Sequence, residues 1–452
     1  MDLNNKFSIN GGLSAAFYTL GCRVNQYETQ AMEEQFRKAE YEIKSFDDEC
    51  DVYVINTCTV TAESDRKSRQ IIRRTAQVKK PTSIVAVCGC YSQGKPQDIE
   101  KIDGVDIIIG NSGKTDICRL ATEYLKEKKE KMLVTNIFDS TEYEESKITS
   151  SDRTRAFVKI VDGCENHCTY CIIPSVRGKI RSRKKEDIID EISALSKAGY
   201  KEVVLTGIET AAYGKDFESK GISPLSELIQ EVSEIPGIER IRLGSMEPTV
   251  FTENFVKEIS LVKKLMPHFH LSLQSGSDSI LRLMKRKYNT SQFITILERL
   301  RKYIPDVKLT TDIIVGFPGE TEELFFETKE FVEKCRFSFI HIFPYSKRDG
   351  TPAATMSGQL DKATKKERVS LLEKTMTEIR TEILKKYHGK TVPVLLETLT
   401  GNIIDGYTPD YIKVKVSINE NNSVKSGEIV EVLVNGITKD DDGTSCLSGY
   451  IN

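Results

Sequence analysis

Gly163-Cys164-Glu165-Asn166-His167-Cys168-Thr169-Tyr170-Cys171 places three thiols within eight residues, spaced C-x3-C-x2-C. One short loop of this kind can turn three sulfurs toward a common point, the arrangement a cubic iron–sulfur cluster needs. Such a cluster has four iron corners and normally takes four thiolates. Three close Cys without a fourth leave one iron open, and an open metal position marks a catalytic centre more than a structural one. A zinc site and buried core thiols are the competing readings. Structural zinc sites favour paired C-x2-4-C units with a second pair downstream, and this loop has no second pair.

Outward from the loop, the chain continues through Cys171-Ile172-Ile173-Pro174 and Arg177-Gly178 to Arg181-Ser182-Arg183. The C-x3-C-x2-C spacing, with Tyr170 before its last Cys, resembles the radical S-adenosylmethionine (SAM) superfamily. The longer string resembles the methylthiotransferases within it, which carry a second cluster in an N-terminal domain.

The chain has 452 residues, 39% of them apolar and 29% charged, with a net charge of −2 and 11 Cys. At roughly 100–200 residues per domain this is room for about three domains, placed at 13–140, 150–387 and 388–452. The near-neutral balance gives no global nucleic-acid signature, so any such contact has to come from local patches. Met1 to Gly12 is polar and lacks an apolar leader core. No apolar run approaches the ~20 residues that span a bilayer. A cytoplasmic protein with reduced thiols, no disulfides and no membrane partner is expected.

In the first domain, strand-like runs at 15–20, 51–57, 83–87 and 105–109 alternate with helical patterns at 26–39 and 64–78. Such alternation predicts a doubly wound parallel sheet. Cys22, Cys58 and Cys90 each follow a strand, 36 and 32 residues apart, about one βα unit each. Ligands in such sheets bind outside the carboxyl ends of the strands, so the three thiols can converge. Chance among abundant Cys is the alternative. The strings Leu20-Gly21-Cys22-Arg23-Val24-Asn25-Gln26-Tyr27-Glu28, Asn56-Thr57-Cys58-Thr59-Val60-Thr61 and Gly89-Cys90-Tyr91-Ser92-Gln93 resemble the methylthiotransferase N-terminal domain. The resemblance implies that these Cys hold an auxiliary [4Fe–4S] cluster. Cys50, Cys88 and Cys118 read as buried thiols. Arg66, Lys67, Arg69, Arg73 and Arg74 share one predicted helix, either as a solvated face or as a phosphate-facing patch.

The central domain repeats strand-like runs at 157–161, 202–205, 240–243, 268–273, 308–314 and 339–343, separated by helical patterns. Six βα units fall short of the eight in a closed barrel, and the resemblance implies the partial (β/α)6 barrel of radical SAM enzymes. Thr206-Gly207-Ile208-Glu209, Ser245-Met246-Glu247-Pro248, Gln274-Ser275-Gly276, Gly316-Phe317-Pro318-Gly319-Glu320-Thr321 and Phe343-Pro344-Tyr345-Ser346 follow successive strands. Singly they are turn punctuation; together, in order, they match the methylthiotransferase pattern. Gly207, Glu209, Ser245, Glu247 and Gln274 are thereby the candidates for holding SAM. His268 and His270 read as packing residues. Arg177, Lys179, Arg181, Arg183, Lys184 and Lys185 follow the cysteine loop, and Arg282, Lys285, Arg286 and Lys287 form a second basic group. A solubilising surface is one reading; phosphate contact by Arg177, Arg181 and Arg183 is the preferred one.

The last 65 residues alternate short β-prone runs with turns, which predicts a small antiparallel barrel, in position and pattern similar to the TRAM domain of tRNA-modifying enzymes. Five Lys, no Arg and nine acids from His388 onward argue against RNA binding over its whole surface.

If the family mechanism holds, Cys164, Cys168 and Cys171 are catalytic, carrying the cluster whose open iron binds SAM. A one-electron donor such as a flavodoxin or ferredoxin is then needed, and the motif says nothing of the sulfur donor. The wording around Cys22 resembles the branch acting on N6-threonylcarbamoyladenosine beside the tRNA anticodon. The alternatives are the isopentenyladenosine branch, the ribosomal-protein branch, and a non-catalytic iron–sulfur RNA-binding protein.

Overall fold

A computed structural model describes residues 12–127, 131–150, 153–218, 223–418 and 424–451. The leader reading of Met1 to Gly12 therefore lies, Gly12 apart, outside the described residues. By internal contacts the chain forms two compact units. The first runs to Ile148 and includes Ile172–Lys179; the second holds Thr149–Cys171 and everything from Ile180 onward. The chain thus leaves the second unit directly after Cys171, spends eight residues in the first, and returns.

In the first unit, β1 (Ser14–Thr19), β2 (Glu42–Lys44), β3 (Val52–Thr57), β4 (Ile84–Gly89), β5 (Ile107–Ile109) and β6 (Lys131–Leu133) form one sheet in the order β2-β1-β3-β4-β5-β6. Every pairing is parallel. Strand residues alternate between two cores, as a period of two requires. Val52, Val54, Ile84 and Ala86 meet Met32, Phe36, Ile117 and Leu120 on one face. Tyr53, Ile55, Val85 and Val87 meet Ile71 and Ile72 on the other. Helices Arg23–Lys38 and Ile117–Glu127 thus cover one face and Ala62–Val78 the other. This is the doubly wound sheet expected. Chain order reverses between β1 and β3, which makes their carboxyl ends a topological switch point.

In the second unit the long strands are β7 (Ala156–Asp162), β9 (Glu202–Gly207), β10 (Arg240–Leu243), β12 (His268–Gln274), β13 (Lys308–Val315) and β14 (Phe339–Pro344). The short β8 (Arg181–Ser182) and β11 (Ser245–Met246) flank them. They form two arcs, β10-β9-β7-β8 and β11-β12-β13-β14. A bridge between Ile241 and Leu265 links the arcs. The six long strands run parallel within their arcs, and β8 alone opposes β7. Among the described residues no ladder joins β14 to β7, so the ring stays open. Helix Lys362–Lys385 buries Leu372, Met376, Ile379 and Ile383, at steps of three and four that put them on one face.

The C-terminal strands β15 (Thr391–Thr400), β16 (Ile403–Tyr407), β17 (Lys413–Ser417), β18 (Ile429–Lys439) and β19 (Ser445–Ile451) close a barrel in the order β15-β16-β17-β19-β18. It is not wholly antiparallel: β17 and β19 pair in parallel, because the chain passes through β18 before returning beside β17. Nor does the barrel separate from the central strands. Arg240 donates to the carbonyls of Tyr407 and Pro393, and Arg242 to those of Pro409 and Thr408. The fully buried carboxylate of Glu202 balances this charge, 2.7 Å from Arg242 Nε. His268 stacks on Tyr411 at 4.7 Å between ring centroids. Packing of this kind explains why residues expected to form two domains fall in one unit.

Candidate iron–sulfur and SAM sites

Cys58 and Cys90 stand directly after β3 and β4, and Cys22 three residues past the end of β1; the three strands are neighbours in the sheet. Register brings Thr19 beside Asn56 and Thr57 beside Gly89, so the three strand ends are level. The thiols are close enough for Cys90 to act electrostatically on both Cys22 and Cys58. Glycine makes this approach possible. Gly21 has φ +104°, and a Cβ there would lie 2.8 Å from the Cys58 sulfur. Gly89 has φ +100°, and a Cβ there would lie 2.5 Å from the Thr57 carbonyl. Only glycine accepts that combination without strain.

Burial pushes the Cys58 thiol up to about 11; Cys22, though its side chain reaches the surface, is also raised by the desolvating protein around its sulfur, against the opposing pull of Arg177. Cys88 points into the apolar core, where burial pushes its thiol up to about 12. Cys50 and Cys118 are core residues too. The thiols that follow strands are thus set apart from those packed inside the sheet and its helices.

In the second unit the cysteine loop leaves β7 through Gly163 at φ +78° and is pinned on three sides. Thr169 N donates to Met284 O at 3.2 Å, its hydroxyl to Leu283 O at 2.8 Å, and Ala353 N to Thr169 O at 2.8 Å. Tyr170 packs edge-on to Phe317. Cys168 is buried while Cys164 and Cys171 keep partial exposure. Burial pushes the Cys164 thiol up to about 11. Arg286, from the second basic group, donates to the Cys168 sulfur at 3.1 Å and to Glu247 at 2.7 Å. Glu209 accepts from Glu247 N at 3.3 Å and from Asn166 at 3.4 Å. Burial and the neighbouring Glu247 push the Glu209 carboxyl up to about 7. Gln274 is buried and holds φ +72° at the end of β12, after a register shift in that strand. A non-glycine residue in that region costs about 1–3 kcal/mol and is a feature of functional sites.

Of the SAM candidates, Glu209 and Glu247 come together, Gln274 lies at the next strand end, and Ser245 is exposed. Gly207 has a packing reason: a Cβ there would lie 2.4 Å from Val161 Cγ1, across the β7–β9 seam. Among the described residues no three His, Cys, Asp or Glu side chains lie close enough to share one metal ion. A cubic cluster asks for something else, one thiolate at each of three separate corners. Two three-thiol sets on strand ends, each with a guanidinium donating to one sulfur, fit such a group.

The phosphate-binding reading of Arg177, Arg181 and Arg183 is overturned. Arg177 and Arg183 are fully buried and Arg181 nearly so. Arg177 pairs with Glu28, Arg181 with Asp162 at 3.7 Å, and Arg183 with Glu191. A desolvated guanidinium held by a carboxylate is closed to phosphate. A run of cations in sequence gives no sign of which carboxylates it will meet. Sequence reasoning saw Arg286 only as part of a basic group and gave no role to Asn25 or Asn111. The last two carry a signal: Asn25 lies one helical turn beyond Cys22, and Asn111 lies two residues beyond β5, one strand along from Cys90. Among the described residues no helix is long and apolar enough to cross a membrane.

Residues 158–332 match the radical SAM superfamily, and residues 14–110 match a family described as uncharacterized protein family UPF0004. The threonylcarbamoyladenosine tRNA methylthiotransferase MtaB of Bacillus subtilis (strain 168) is 42% identical, over 93% of this chain and 93% of its own. A tRNA-2-methylthio-N(6)-dimethylallyladenosine synthase of Acetivibrio thermocellus is 36% identical over 93% of this chain and 88% of its own. Among solved structures, the radical SAM methyltransferase TsrM of Kitasatospora setae aligns with a TM-score of 0.55, over 76% of this chain and 74% of that one. At 13% identity that likeness speaks for the fold alone. With its fold, its two thiol sets and relatives matched nearly end to end, the chain belongs to the radical SAM tRNA methylthiotransferase family, on its MtaB branch.

Proposed function

We propose that this chain adds a methylthio group to C2 of N6-threonylcarbamoyladenosine in a tRNA anticodon loop, in the cytoplasm, with two [4Fe–4S] clusters and SAM. The observation that carries the reading is the end-to-end match to relatives of that name. The placement of one thiol set after three parallel strands of the first unit, and of the other on the loop that follows β7, supports it. Cys164, Cys168 and Cys171 would hold one cluster, and Cys22, Cys58 and Cys90 the other. Bound at the first site, such a cluster supplies the one-electron cleavage of SAM that makes an unactivated C–H bond reactive. A small redox protein, a flavodoxin or ferredoxin, is the expected electron source.

The protein's own share is orientation and charge. Arg286 ties Cys168 to Glu247 and so fixes the thiol relative to the carboxylates. Glu209 and Glu247 form a carboxyl pair, one member held by Arg286, and the ammonium group of SAM beside it would draw Glu209 to its charged form. Gln274 and Ser245 lie at neighbouring strand ends where the rest of that ligand would reach.

Phosphate contact falls to cations that remain at the surface. Arg66, Arg69, Arg73 and Arg74 line a depression of about 530 Å³ along helix Ala62–Val78. Arg69 donates to Tyr91 at 3.1 Å, directly after Cys90. An Arg69→Ala, Arg73→Ala protein is expected to bind tRNA with a salt slope shallower by about one to two units. Arg183→Ala should leave that slope unchanged and instead lower stability by about 3–5 kcal/mol, because Glu191 stays buried and unpaired. Filter binding across salt concentrations and urea denaturation separate the two effects.

Nucleoside mass spectrometry of tRNA tests the substrate. The 2-methylthio form of threonylcarbamoyladenosine should vanish on deletion and return on complementation, with the methylthio isopentenyl nucleoside unchanged. A response of the isopentenyl form, or of a ribosomal protein, would overturn the substrate assignment.

A further inference from the structure

Arg177 follows Cys171 by six residues, yet it belongs to the first unit, where it is fully buried. Its Nε donates to the Cys90 sulfur at 3.2 Å. Its two terminal nitrogens donate to both oxygens of Glu28, and one of them also to Asn25 Oδ1. Asn111 Nδ2 reaches the same sulfur at 3.5 Å while donating to Val176 O at 2.7 Å. Glu28 is itself buried and already has a second cation, Lys114. Glu28 therefore does not need Arg177 for charge balance, and the guanidinium is aimed at the sulfur. A neutral thiol is a weak acceptor. Two convergent N–H donors, one of them cationic, are the complement of a thiolate.

We infer that Arg177 is a positioning residue for the auxiliary site: anchored by Glu28, it compensates a thiolate at Cys90 and raises the reduction potential of the cluster held there. The inference rests on the proposed cluster at Cys22, Cys58 and Cys90. Hydrogen bonds and positive charge at a cluster sulfur favour the reduced form, which carries one more negative charge. Glu28 has the opposite electrostatic sign and moderates the effect. The placement also gives a reason for the segment after Cys171 to enter the first unit: it delivers a cation to a sulfur that the loop after β5 supplies with the neutral donor Asn111.

The test uses the full-length chain with Cys164, Cys168 and Cys171 replaced by alanine, so that only the auxiliary cluster remains. Its midpoint potential is read by electron paramagnetic resonance during titration with dithionite and redox dyes. Arg177→Met should move the midpoint to more negative values and Glu28→Gln to more positive ones. Each shift should amount to at least a tenfold change in the reduction equilibrium, about 59 mV for a one-electron couple. Arg177→Lys, which keeps the charge but loses the fork, should fall between parent and Met variant. A purely structural role would not give shifts of opposite sign. Shifts of the same sign, or none, in variants that retain about four irons would overturn the inference. If Arg177→Met loses its iron, the Lys and Gln variants decide by the same signs. A parent protein that binds no iron would instead overturn the cluster assignment, and the inference with it.

Discussion

Replacing Cys164, Cys168 and Cys171 together by alanine is expected to abolish reductive cleavage of SAM and to halve the iron content. Anaerobically reconstituted parent protein should hold about eight irons and eight sulfides, four per cubic cluster. The triple variant should keep about four. The reason is the separation of the two thiol sets. These three Cys lie on a loop fixed by Thr169 and Tyr170 within the second unit, while the other three belong to the sheet of the first. Each set has its own packed support, so loss of one need not empty the other. Iron and sulfide analysis with quantification of 5′-deoxyadenosine checks both parts. Loss of all iron, or a parent content of only four, would show that the thiols do not form two sites.

The converse variant, with Cys22, Cys58 and Cys90 replaced by alanine, should still cleave SAM reductively but form no methylthio product. The Arg286–Glu247 pair and the Glu209 contact lie wholly in the second unit, so the SAM-side geometry does not depend on the missing thiols. Methylthiolation should therefore fall below detection while 5′-deoxyadenosine formation continues. A variant that retains four irons yet cannot cleave SAM would reverse the division of labour between the two sets.

The strand ends are legible in the amino-acid sequence. Thiols that each follow a strand, at intervals of one βα unit, can converge only if those strands are parallel neighbours, and β1, β3 and β4 are. Local patterning suffices because strand alternation and βα spacing are short-range properties. The same holds for the cysteine loop, where eight residues contain the whole motif.

Charge is not legible in the same way. Arg177, Arg183 and Arg286 sit in runs that look like a cationic surface, yet each side chain is buried against a carboxylate. Glu28 is 149 residues from Arg177, and Glu247 is 39 from Arg286. Whether a guanidinium faces water or a carboxylate depends on which distant segment packs over it. By itself the sequence determined most of the longer strands and helices, their order and the cysteine loop, because these follow from periodicity and spacing, while the grouping of Cys22, Cys58 and Cys90 came from the family resemblance of their local strings. Only the tertiary structure decided which cations are buried, where the barrel docks and what donates to each sulfur, because desolvation and ion pairing are set by contacts between segments far apart in the chain.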